Sequence, residues 1–378
     1  MKVFIVSRGV PSKSNLTLGI FEFDQAKALA AAGCEVVFLS LDLRSLRRKR
    51  KWGFRSYVLS GVCIEEVNVP VGAVPPALLT KIGSMALKKL LKRAVAKHGE
   101  PDIVHSHFIN ISDMASRASA GRYRHVITEH SSLINTDLSE RQIKQFARIY
   151  SKADAVIAVS TALCKRMNKL FGVNPVCINN IVDTSLFKLS LNRQNKDNLA
   201  CDAFNFVVVA NLTANKRIEL VVSALAELIK EGKNVSLTIV GEGEMRRNIE
   251  AQIEELQLVS CVKLTGKIDR SDLSKYLAAS DCFVLASMSE TFGVAYIEAM
   301  VTGLPVIATK CGGPEDFVTE QNGILIERDK LSDLTSAMRY MYHHAKEYDK
   351  EKISKNIAKR FDAEAISAKL VKVYESLV

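Results

Sequence analysis

The 378-residue sequence lacks three patterns, and each absence excludes a class of protein or site. No apolar run reaches the roughly 18 residues that a membrane-spanning helix needs. The eight cysteines include no Cys-x-x-Cys pair and have no histidine near them, which argues against structural zinc and predicts reduced thiols in the core. No Asp-x-Asp occurs, so the usual acidic pair for holding a divalent ion is missing and we expect a metal-independent reaction.

Length and composition indicate a soluble protein with two domains. A chain of 378 residues is too long for one ordinary core and suits two domains of roughly 180 residues each. Hydrophobic residues make up 48% and charged residues 25% of the chain, as in soluble globular proteins. The first six residues predict a strand rather than a signal peptide, so the cytoplasm is the expected compartment.

Positive charge is concentrated in the first half of the chain. Residues 1–180 carry 27 Lys and Arg against 13 Asp and Glu, whereas residues 181–378 carry 25 against 28. One basic group surrounds Trp52, and a second alternates with apolar residues at helical spacing. The first group is Arg44, Arg47, Arg48, Lys49, Arg50, Lys51 and Arg55, and the second is Lys81, Lys88, Lys89, Lys92, Arg93 and Lys97.

A basic amphipathic helix beside a basic loop with aromatic residues suits an anionic membrane surface. Two alternatives stay open, because nucleic acid attracts the same residues and because a solvated helix can simply pack its apolar face into the core. Of the external partners we expect the membrane surface and not nucleic acid. The expected location is therefore peripheral, on the inner face of the cell membrane.

Apolar β-branched runs alternate with amphipathic helical stretches along almost the whole chain, which predicts parallel sheets with crossover helices. The predicted strands are residues 2–7, 35–40, 62–69, 102–107, 125–129 and 155–159 in the first half, and 205–211, 235–240, 261–265, 282–286, 305–308 and 323–326 in the second. The pattern indicates two doubly wound α/β domains.

The predicted boundaries follow the composition. Residues 183–202 are polar and lack apolar periodicity, which indicates a linker between a first domain of residues 1–182 and a second of residues 203–352. Residues 353–378 show a helical pattern that is interrupted near Phe361. Such a tail can cross back to the first domain.

The most informative segment is residues 289–300, which contains Glu290 and Glu298. It follows a predicted buried strand, and open α/β sheets bind ligands beyond the carboxyl ends of their strands. If the chain is helical from Val294, its unpaired N–H groups and dipole favour a phosphate there. Eight helical residues rise by about 12 Å, more than the about 5 to 9 Å between paired glycosidase carboxylates, so we expect the two acids to touch different parts of one long ligand.

Other candidates also follow predicted strands. Lys216 comes after the first strand of the second domain, where its charge can neutralise a diphosphate that leaves a sugar carbon. Gly19, Gly241 and the pair Gly312 and Gly313 allow close backbone approach to a ligand. For Gly19 and Gly241, a glycine that is needed only for a turn is at least as good an explanation.

Three histidines end predicted strands of the first domain. His105 and His107 are two residues apart and can share one face, but no further ligand lies near enough in sequence to complete a metal site. His130 ends the next predicted strand. In a chain with two domains we expect His130 to face the cleft between them.

Together these motifs resemble glycosyltransferase family 4, whose members are retaining enzymes with the GT-B fold. The resemblance covers nearly the full length of the chain and is most specific in the glutamate motif of residues 289–300. It implies an α/β architecture of two doubly wound Rossmann-like domains that face each other across a cleft. The C-terminal helix is then expected to cross back to the N-terminal domain.

The resemblance also implies roles. Glu298 would bind the ribose hydroxyls of a nucleotide-sugar, and His130, Lys216 and Glu290 are the expected catalytic residues, with Lys216 stabilising the leaving group. The implied donor-binding residues are Gly19, Asn211, Lys216, Arg217, Gly241, Lys267, Ile268, Glu290, Phe292, Gly293, Val294, Ala295 and Glu298. The nucleotide-sugar is a substrate, and no cofactor or metal is expected.

Two positions depart from the family pattern. Asn211 stands where an arginine is frequent, so we expect one diphosphate contact to be absent or to be taken over by Arg217. Leu18 and Gly19 stand where many relatives have two glycines, which leaves Gly19 as the expected phosphate contact.

Taking the family resemblance together with the motifs and the charge, we expect a retaining glycosyltransferase that moves a sugar from a UDP-sugar to a lipid-linked or polysaccharide-precursor acceptor in bacterial cell-surface glycan biosynthesis. One alternative is an NAD-dependent oxidoreductase, which needs a complete G-x-G-x-x-G where this chain has only the truncated turn at Gly241. Another is a non-catalytic basic module that binds a membrane or nucleic acid, which leaves the motifs at the strand ends without a role.

Overall fold

The computed structural model describes residues 1–12, 18–44, 50–184, 186, 187, 189 and 203–378. The chain divides into unit 1, which comprises Met1–Ile181 and Ala363–Val378, and unit 2, which comprises Val182–Asp362. Among the helices of these ranges, none is both long enough and apolar enough to cross a membrane.

The strands and helices alternate along both units. The strands are β1 (Lys2–Ser7), β2 (Glu35–Asp42), β3 (Gly53–Leu59), β4 (Val62–Asn68), β5 (Ile103–His107), β6 (Arg124–Glu129), β7 (Ala155–Ala158), β8 (Val176–Cys177), β9 (Phe204–Val209), β10 (Val235–Val240), β11 (Val262–Gly266), β12 (Cys282–Leu285), β13 (Val306–Thr309) and β14 (Gly323–Ile326). The helices are α1 (Ile20–Ala31), α2 (Pro76–His98), α3 (Ile109–Ser119), α4 (Glu140–Tyr150), α5 (Thr161–Phe171), α6 (Ile218–Lys230), α7 (Arg246–Glu255), α8 (Arg270–Ala278), α9 (Val294–Val301), α10 (Leu331–His344), α11 (Lys350–Phe361) and α12 (Ala363–Glu375).

Unit 1 has an eight-stranded sheet with the order β3-β4-β2-β1-β5-β6-β7-β8. Helices cover both faces, because successive side chains of a strand point to opposite sides. In β1, Val3 and Ile5 pack with α1 and α12, whereas Phe4 and Val6 pack with α2 and α3. The strand order reverses between β1 and β5, which is where a doubly wound sheet binds its ligand.

Unit 2 has a six-stranded sheet with the order β11-β10-β9-β12-β13-β14. Its neighbouring strands run parallel, with Phe206 of β9 opposite Cys282 of β12. The order reverses between β9 and β12, so loops that follow these two strands diverge at the switch point of the sheet. Both Lys216 and Glu290 follow strands of this pair.

Each of the twelve predicted strands is present, with ends shifted by at most two residues, and two further strands were not predicted. The basic loop around Trp52 was predicted to extend to Arg55, but the chain enters β3 at Gly53 and pairs antiparallel with β4 through a turn at Ser60 and Gly61. The basic side chains of this segment hid its strand character. The other unpredicted strand, β8, has only two residues, Val176 and Cys177.

The C-terminal segment, predicted as one tail from residue 353, is divided at Asp362. Helix α11 belongs to unit 2, where Ile353, Ile357 and Phe361 are buried, and only α12 belongs to unit 1. The return to the first unit is confirmed, but it begins ten residues later than the predicted start of the tail. Residues 190–202, most of the predicted linker, lie outside the described residues.

Helix α2 carries the second basic group. Its apolar face joins the core of unit 1, as one of the alternatives held, and the buried residues are Leu87, Leu90, Leu91 and Ala94. The basic residues of the group are exposed. Arg47, Arg48 and Lys49 of the first group lie outside the described residues.

The described cysteines all carry free thiols. Among the seven cysteines that the structure describes, only Cys282 and Cys311 are buried and Cys177 is exposed, so the prediction of core cysteines is wrong for most of these seven. Cys201 lies outside the described residues. Within the described ranges, three or more His, Cys, Asp or Glu side chains nowhere come together as a group that could hold a metal ion.

Candidate active site

Lys216 and Glu290 meet at the switch point of unit 2. Lys216 ends a short 3-10 turn after β9, and Glu290 lies in the loop after β12. Because β9 and β12 are neighbours, residues 74 apart in sequence come together, with the Lys216 Nζ 2.5 Å from the Glu290 Oε1. The Ser287 hydroxyl donates to the same oxygen over 2.8 Å. The result is a largely buried ion pair at the edge of the sheet where ligands bind.

The loop that carries Glu290 is held by backbone contacts on both sides. The side-chain Nδ2 of Asn215 donates to the Ser289 carbonyl over 2.9 Å. The Glu290 N–H donates to the Cys311 carbonyl, and the Glu290 carbonyl accepts from the Gly313 N–H, each over 3.0 Å. The glycine pair after β13 therefore fixes the glutamate loop, in addition to any contact that it makes with a ligand.

Glu298 is paired with an arginine that the sequence analysis missed. Its carboxylate is 7% exposed on α9, and its Oε1 accepts from the Nε of Arg270 over 2.9 Å and lies 2.8 Å from the Nη2 of Arg270. Arg270 opens α8, three residues beyond Lys267 and past the carboxyl end of β11. The same strand-end argument that selected Lys216 would have selected it. A guanidinium now orients the carboxylate at the position predicted for ribose binding.

The amino end of α9 has no side-chain cap. Gly293 precedes the helix with a φ of 97°, and within the described ranges no side-chain hydrogen bond caps the helix start. Val294 and Ala295 are half-buried there. An uncapped helix start presents N–H donors and a positive dipole end, which is an arrangement that binds anions.

Phe292 does not offer its ring to a ligand. The ring is 1% exposed and packs edge-on against Phe317 and Phe361. Its carbonyl oxygen occupies the space beside Gly313, where a Cβ would lie only 2.2 Å away. Only the backbone of Phe292 is thus available for the predicted donor contact.

Contacts within the protein account for two of the predicted donor residues, Gly241 and Arg217. Gly241 has a φ of 144°, and a Cβ there would lie 1.8 Å from the Ala210 carbonyl oxygen, so packing alone requires the glycine. Arg217 forms ion pairs with Glu219 and Asp329. Since two carboxylates compensate its charge, the structure gives no support to Arg217 replacing the missing arginine at position 211.

The other predicted donor residues of unit 2 follow strand ends. Asn211 comes after β9, and Lys267 and Ile268 come after β11. Asn211 and Lys267 are exposed, and Ile268 is half-buried. Their contact with a donor stays a prediction.

In unit 1, Gly19 lies against the loop after β1. Its φ is 69°, and a Cβ would lie 2.1 Å from the Gly9 carbonyl oxygen. The first turn of α1 carries the buried Glu22, which accepts from the Ser7 hydroxyl over 3.1 Å. Gly19 is therefore required for the close approach of the two backbone segments, and its phosphate contact stays a prediction.

His130 is buried among aromatic rings. Phe21 stacks on it with ring centroids 5.9 Å apart, and Phe108 lies 5.0 Å away. The His130 Nε2 is 2.9 Å from the Nδ1 of His107. The imidazole is thus held on three sides, at the end of β6 where the sequence predicted it.

Glu129 fixes the turn that positions His130. Its buried carboxylate accepts backbone N–H groups from His130 over 2.9 Å, from Ser131 over 2.7 Å and from Ile109 over 3.0 Å. The Tyr150 hydroxyl donates to it over 2.7 Å. Burial raises the pKa of Glu129, against the opposing effect of these hydrogen bonds.

Burial keeps the imidazoles of this region neutral. It lowers the pKa of His130 to about 3, with the side chain of Asn180 opposing the shift and Arg8 adding to it. Burial likewise lowers the pKa of His105 to about 3 and places that of His107 well below its ordinary value. At neutral pH these rings therefore bind and orient through single N–H groups and lone pairs.

The chain matches two known families, one over most of unit 1 and the other over most of unit 2. Residues 22–186 match the family described as Glycosyltransferase Family 4, and residues 192–360 match the family described as Glycosyl transferases group 1. Together the two matches cover most of both units.

Curated relatives are similar over nearly the whole chain. The N-acetyl-alpha-D-glucosaminyl L-malate synthase of Bacillus anthracis is 26% identical over 95% of this chain and 92% of its own length. The putative teichuronic acid biosynthesis glycosyltransferase TuaC of Bacillus subtilis is 26% identical over 91% of this chain and 90% of its own length.

Solved structures share the fold. The sucrose-phosphate synthase of Thermosynechococcus elongatus has a TM-score of 0.83 at 21% identity, covering 100% of this chain and 99% of its own. Anabaena HepE in complex with UDP and glucose has a TM-score of 0.77 at 21% identity and full coverage of both chains. The GT-B fold expected from the sequence is confirmed.

Proposed function

Because the chain belongs to glycosyltransferase family 4, we propose that it is a retaining, metal-independent enzyme that moves a sugar from a UDP-sugar to a lipid-linked or polysaccharide-precursor acceptor. Glycosyl transfer itself is common to the relatives that resemble the whole chain. The UDP donor is supported by the structural likeness to HepE bound to UDP and glucose. The polysaccharide-precursor acceptor is supported by the similarity to the teichuronic acid biosynthesis glycosyltransferase TuaC.

The observation that carries the proposal is the pair of Lys216 and Glu290 at the unit 2 switch point. In the proposed reaction the bond from the sugar C1 to the diphosphate breaks while the acceptor oxygen bonds to C1 on the same face. The acceptor proton passes to the leaving phosphate. Lys216 and the uncapped start of α9 then stabilise the growing phosphate charge, with Glu290 orienting the ammonium.

Glu298 supplies the other end of the proposed donor site. Its carboxylate, held by Arg270, accepts the ribose hydroxyls, while the backbone from Phe292 to Ala295 holds the diphosphate. Arg217 is left out of this assignment, because Glu219 and Asp329 already neutralise it.

The substitution Lys216→Ala tests the catalytic assignment. It should lower kcat with a UDP-sugar by roughly two to three orders of magnitude and change donor affinity much less, because the charge that Lys216 faces develops in the transition state. The measurement is steady-state turnover together with calorimetric binding of UDP.

Lys230→Ala is the matched control, since Lys230 is an exposed lysine of the same unit that pairs with Glu227 on its own helix. It should leave both quantities unchanged. Turnover of Lys216→Ala equal to that of the control would refute the role of Lys216.

The proposed membrane contact rests on exposed residues of unit 1. Lys88, Lys89, Lys92 and Arg93 are exposed on α2. Exposed apolar residues of the same unit include Trp52, Phe54, Leu78 and Met85. Since the buried leucines of α2 belong to the core, the proposed contact is an electrostatic attraction with shallow apolar anchors rather than insertion of the helix.

Flotation on vesicles tests this contact. Replacing Lys88, Lys89, Lys92 and Arg93 by Gln should weaken binding to phosphatidylglycerol vesicles by roughly two to three orders of magnitude, at about 1 kcal/mol for each basic residue. The control carries the same loss of charge on unit 2, through Gln at Lys346, Lys352, Lys355 and Lys359. If the two variants bind the vesicles equally, the proposed membrane contact through α2 is contradicted.

A panel of nucleotide-sugars, assayed for turnover and for thermal stabilisation, identifies the base and the sugar. A donor present at 100 times its Kd should stabilise the folded chain by about 2.7 kcal/mol. Stabilisation by UDP-sugars, and not by NAD, supports the proposal over the oxidoreductase alternative. Stabilisation by NAD alone contradicts it.

A further inference from the structure

Strand β3 is an open edge of the unit 1 sheet. It stands at the end of the strand order, and among the described residues β4 is the only strand that pairs with it. Its antiparallel register with β4 is unbroken over its seven residues, Gly53–Leu59. The outer side of such a strand presents backbone N–H and C=O groups that can pair with a further strand.

Little in the strand blocks that pairing. Proteins protect an edge with proline, lysine, a bulge or a very short strand. Strand β3 has none of these features, and Arg55 is its one charged residue. Arg55 is held within the chain, since it pairs with Glu66 of β4 and lies over the Tyr57 ring at 5.2 Å. The edge is therefore long and regular.

The exposed face of β3 is partly apolar. Phe54 is 39% exposed and Val58 is 67% exposed. Because alternate residues of a strand point to the same side, both lie with Ser56 on one face. On this face the guanidinium carbon of Arg93 lies 4.8 Å from the centre of the Phe54 ring, and the Lys97 Nζ contacts the Ser56 hydroxyl. Apolar side chains thus stand beside a row of backbone groups that is open to a partner.

We infer that two copies of this chain associate through β3, which pairs antiparallel with β3 of the second copy about a two-fold axis at Ser56. This register pairs all seven residues of the strand. It places Phe54 opposite Val58 of the second copy, and Arg55 opposite Tyr57 of the second copy. The first pair is apolar, and the second repeats the contact of a guanidinium with a tyrosine ring that each chain already makes. The strand is therefore complementary to itself, as a two-fold interface requires.

Other registers fit less well. An axis at Arg55 pairs fewer residues and places two arginines opposite each other, which destabilises a sheet. An axis at Tyr57 also pairs fewer residues and places Arg55 opposite the apolar Leu59. The far edge of the sheet, β8, has only two residues, so pairing ends at two copies.

A second copy suits this edge better than a membrane does. Lipid offers no partner for backbone N–H and C=O groups, whereas a second β3 pairs with them along its whole length. The electrostatic membrane contact proposed for α2 comes from the basic residues of that helix. The association through β3 involves no residue of the proposed donor site, so its failure is distinguishable from failure of the proposed glycosyl transfer.

Sedimentation equilibrium of the full-length protein tests the association and should show a dimer at micromolar concentrations. Val58→Lys puts a charge opposite Phe54 of the second copy. It should raise the dissociation constant of the dimer at least about tenfold, since two valines lose their burial in each dimer. Val259→Lys is the matched control, because Val259 is a valine of unit 2 with the same exposed fraction of 67%, and it should leave the dimer unchanged. Circular dichroism checks that both variants are folded.

Cysteine cross-linking tests the register. In the proposed pairing the Cα atoms of Ser56 in the two copies are about 4.5 to 5.5 Å apart, which a disulfide spans. Those of Arg55 lie diagonally, about 7 to 8 Å apart, which is too far. Ser56→Cys should therefore give much more covalent dimer on a non-reducing gel than Arg55→Cys, with the unmodified chain as the background from its own thiols.

Three results contradict the interface. They are a chain that sediments as a monomer at every concentration, a dimer that Val58→Lys and Val259→Lys leave equally stable, and equal cross-linking of the two cysteine variants. A monomeric chain whose binding to phosphatidylglycerol vesicles is weakened by Val58→Lys assigns this face to the membrane instead.

Discussion

At the scale of single residues, Glu298 gives a direct test of the donor site. Glu298→Ala removes the carboxylate that Arg270 orients and leaves the guanidinium without this partner. Since hydrogen bonds to charged groups are stronger than neutral ones, affinity for UDP should fall at least about tenfold. Calorimetric titration with UDP measures the change.

Glu254→Ala is the matched control, because Glu254 is an exposed glutamate on α7 of the same unit. It should bind UDP as the unmodified chain does. Wild-type affinity in a folded Glu298→Ala variant would remove Glu298 from the donor site.

The residues that sequence reasoning found at the site share one property, which is a position just beyond a predicted strand. Lys216 and Glu290 were both selected in this way, and strand neighbourhood brings them together. What the sequence did not reveal is which side chains pair. The contact of Glu298 with Arg270, and that of His107 with His130, depend on how two loops or strands pack, which no local spacing encodes.

At the scale of elements, buried parallel strands were predictable because both of their faces are apolar and they are bounded by amphipathic helices. Strand β3 escaped prediction because it lies at the edge of its sheet, with Arg55 exposed and only a partner strand on one side. Because apolar and polar side chains do not alternate regularly along β3, it lacks the pattern by which a half-buried strand is predicted. The break at Asp362 was visible as an interruption, but the unit to which each flanking helix belongs depends on tertiary packing.

Helix α12 is expected to contribute strongly to the stability of unit 1. Leu370 is 0% exposed and packs in the core with α1 and β1, so Leu370→Ala should lower the free energy of unfolding by about 2–5 kcal/mol. Urea denaturation followed by the fluorescence of Trp52, the one tryptophan of the sequence, reports on unit 1.

The exposed neighbour Lys369 provides the control. Lys369→Ala should shift the unfolding free energy by less than about 0.5 kcal/mol. If Leu370→Ala leaves the Trp52 transition where the control has it, α12 does not stabilise unit 1.

At the scale of the whole molecule, the two units should respond differently to acid. The histidines with lowered pKa values, His105, His107, His125 and His130, all lie in unit 1. The pKa falls from an ordinary value of 6.5 to about 3 for His105 and His130 and to about 4 for His125. The unfolded chain binds protons at these histidines more readily than the folded chain does. The stability that the neutral rings contribute is therefore present above pH 6.5 and is lost as the pH falls below it.

At pH 5, His105, His125 and His130 should each lower the free energy of unfolding by about 2 kcal/mol relative to pH 7.5. Unit 1, followed by Trp52 fluorescence, should therefore unfold at a higher pH than unit 2, whose unfolding is followed by the remaining loss of far-UV circular dichroism. His125→Gln should reduce the sensitivity of unit 1 to acid, and His343→Gln, at an exposed site on α10 of unit 2, should not. Acid unfolding of both units at one pH contradicts this expectation.

The return of α12 to unit 1 has a consequence for how the protein is made. The Tyr374 hydroxyl bonds to His105, 269 residues earlier in the chain, and Ile366 and Leu370 fill the same core. During synthesis the ribosome delivers the whole of unit 2 before it delivers these side chains. The core of unit 1 therefore stays incomplete until α12 has been synthesised. Unit 2, which is continuous in sequence, can complete its folding first.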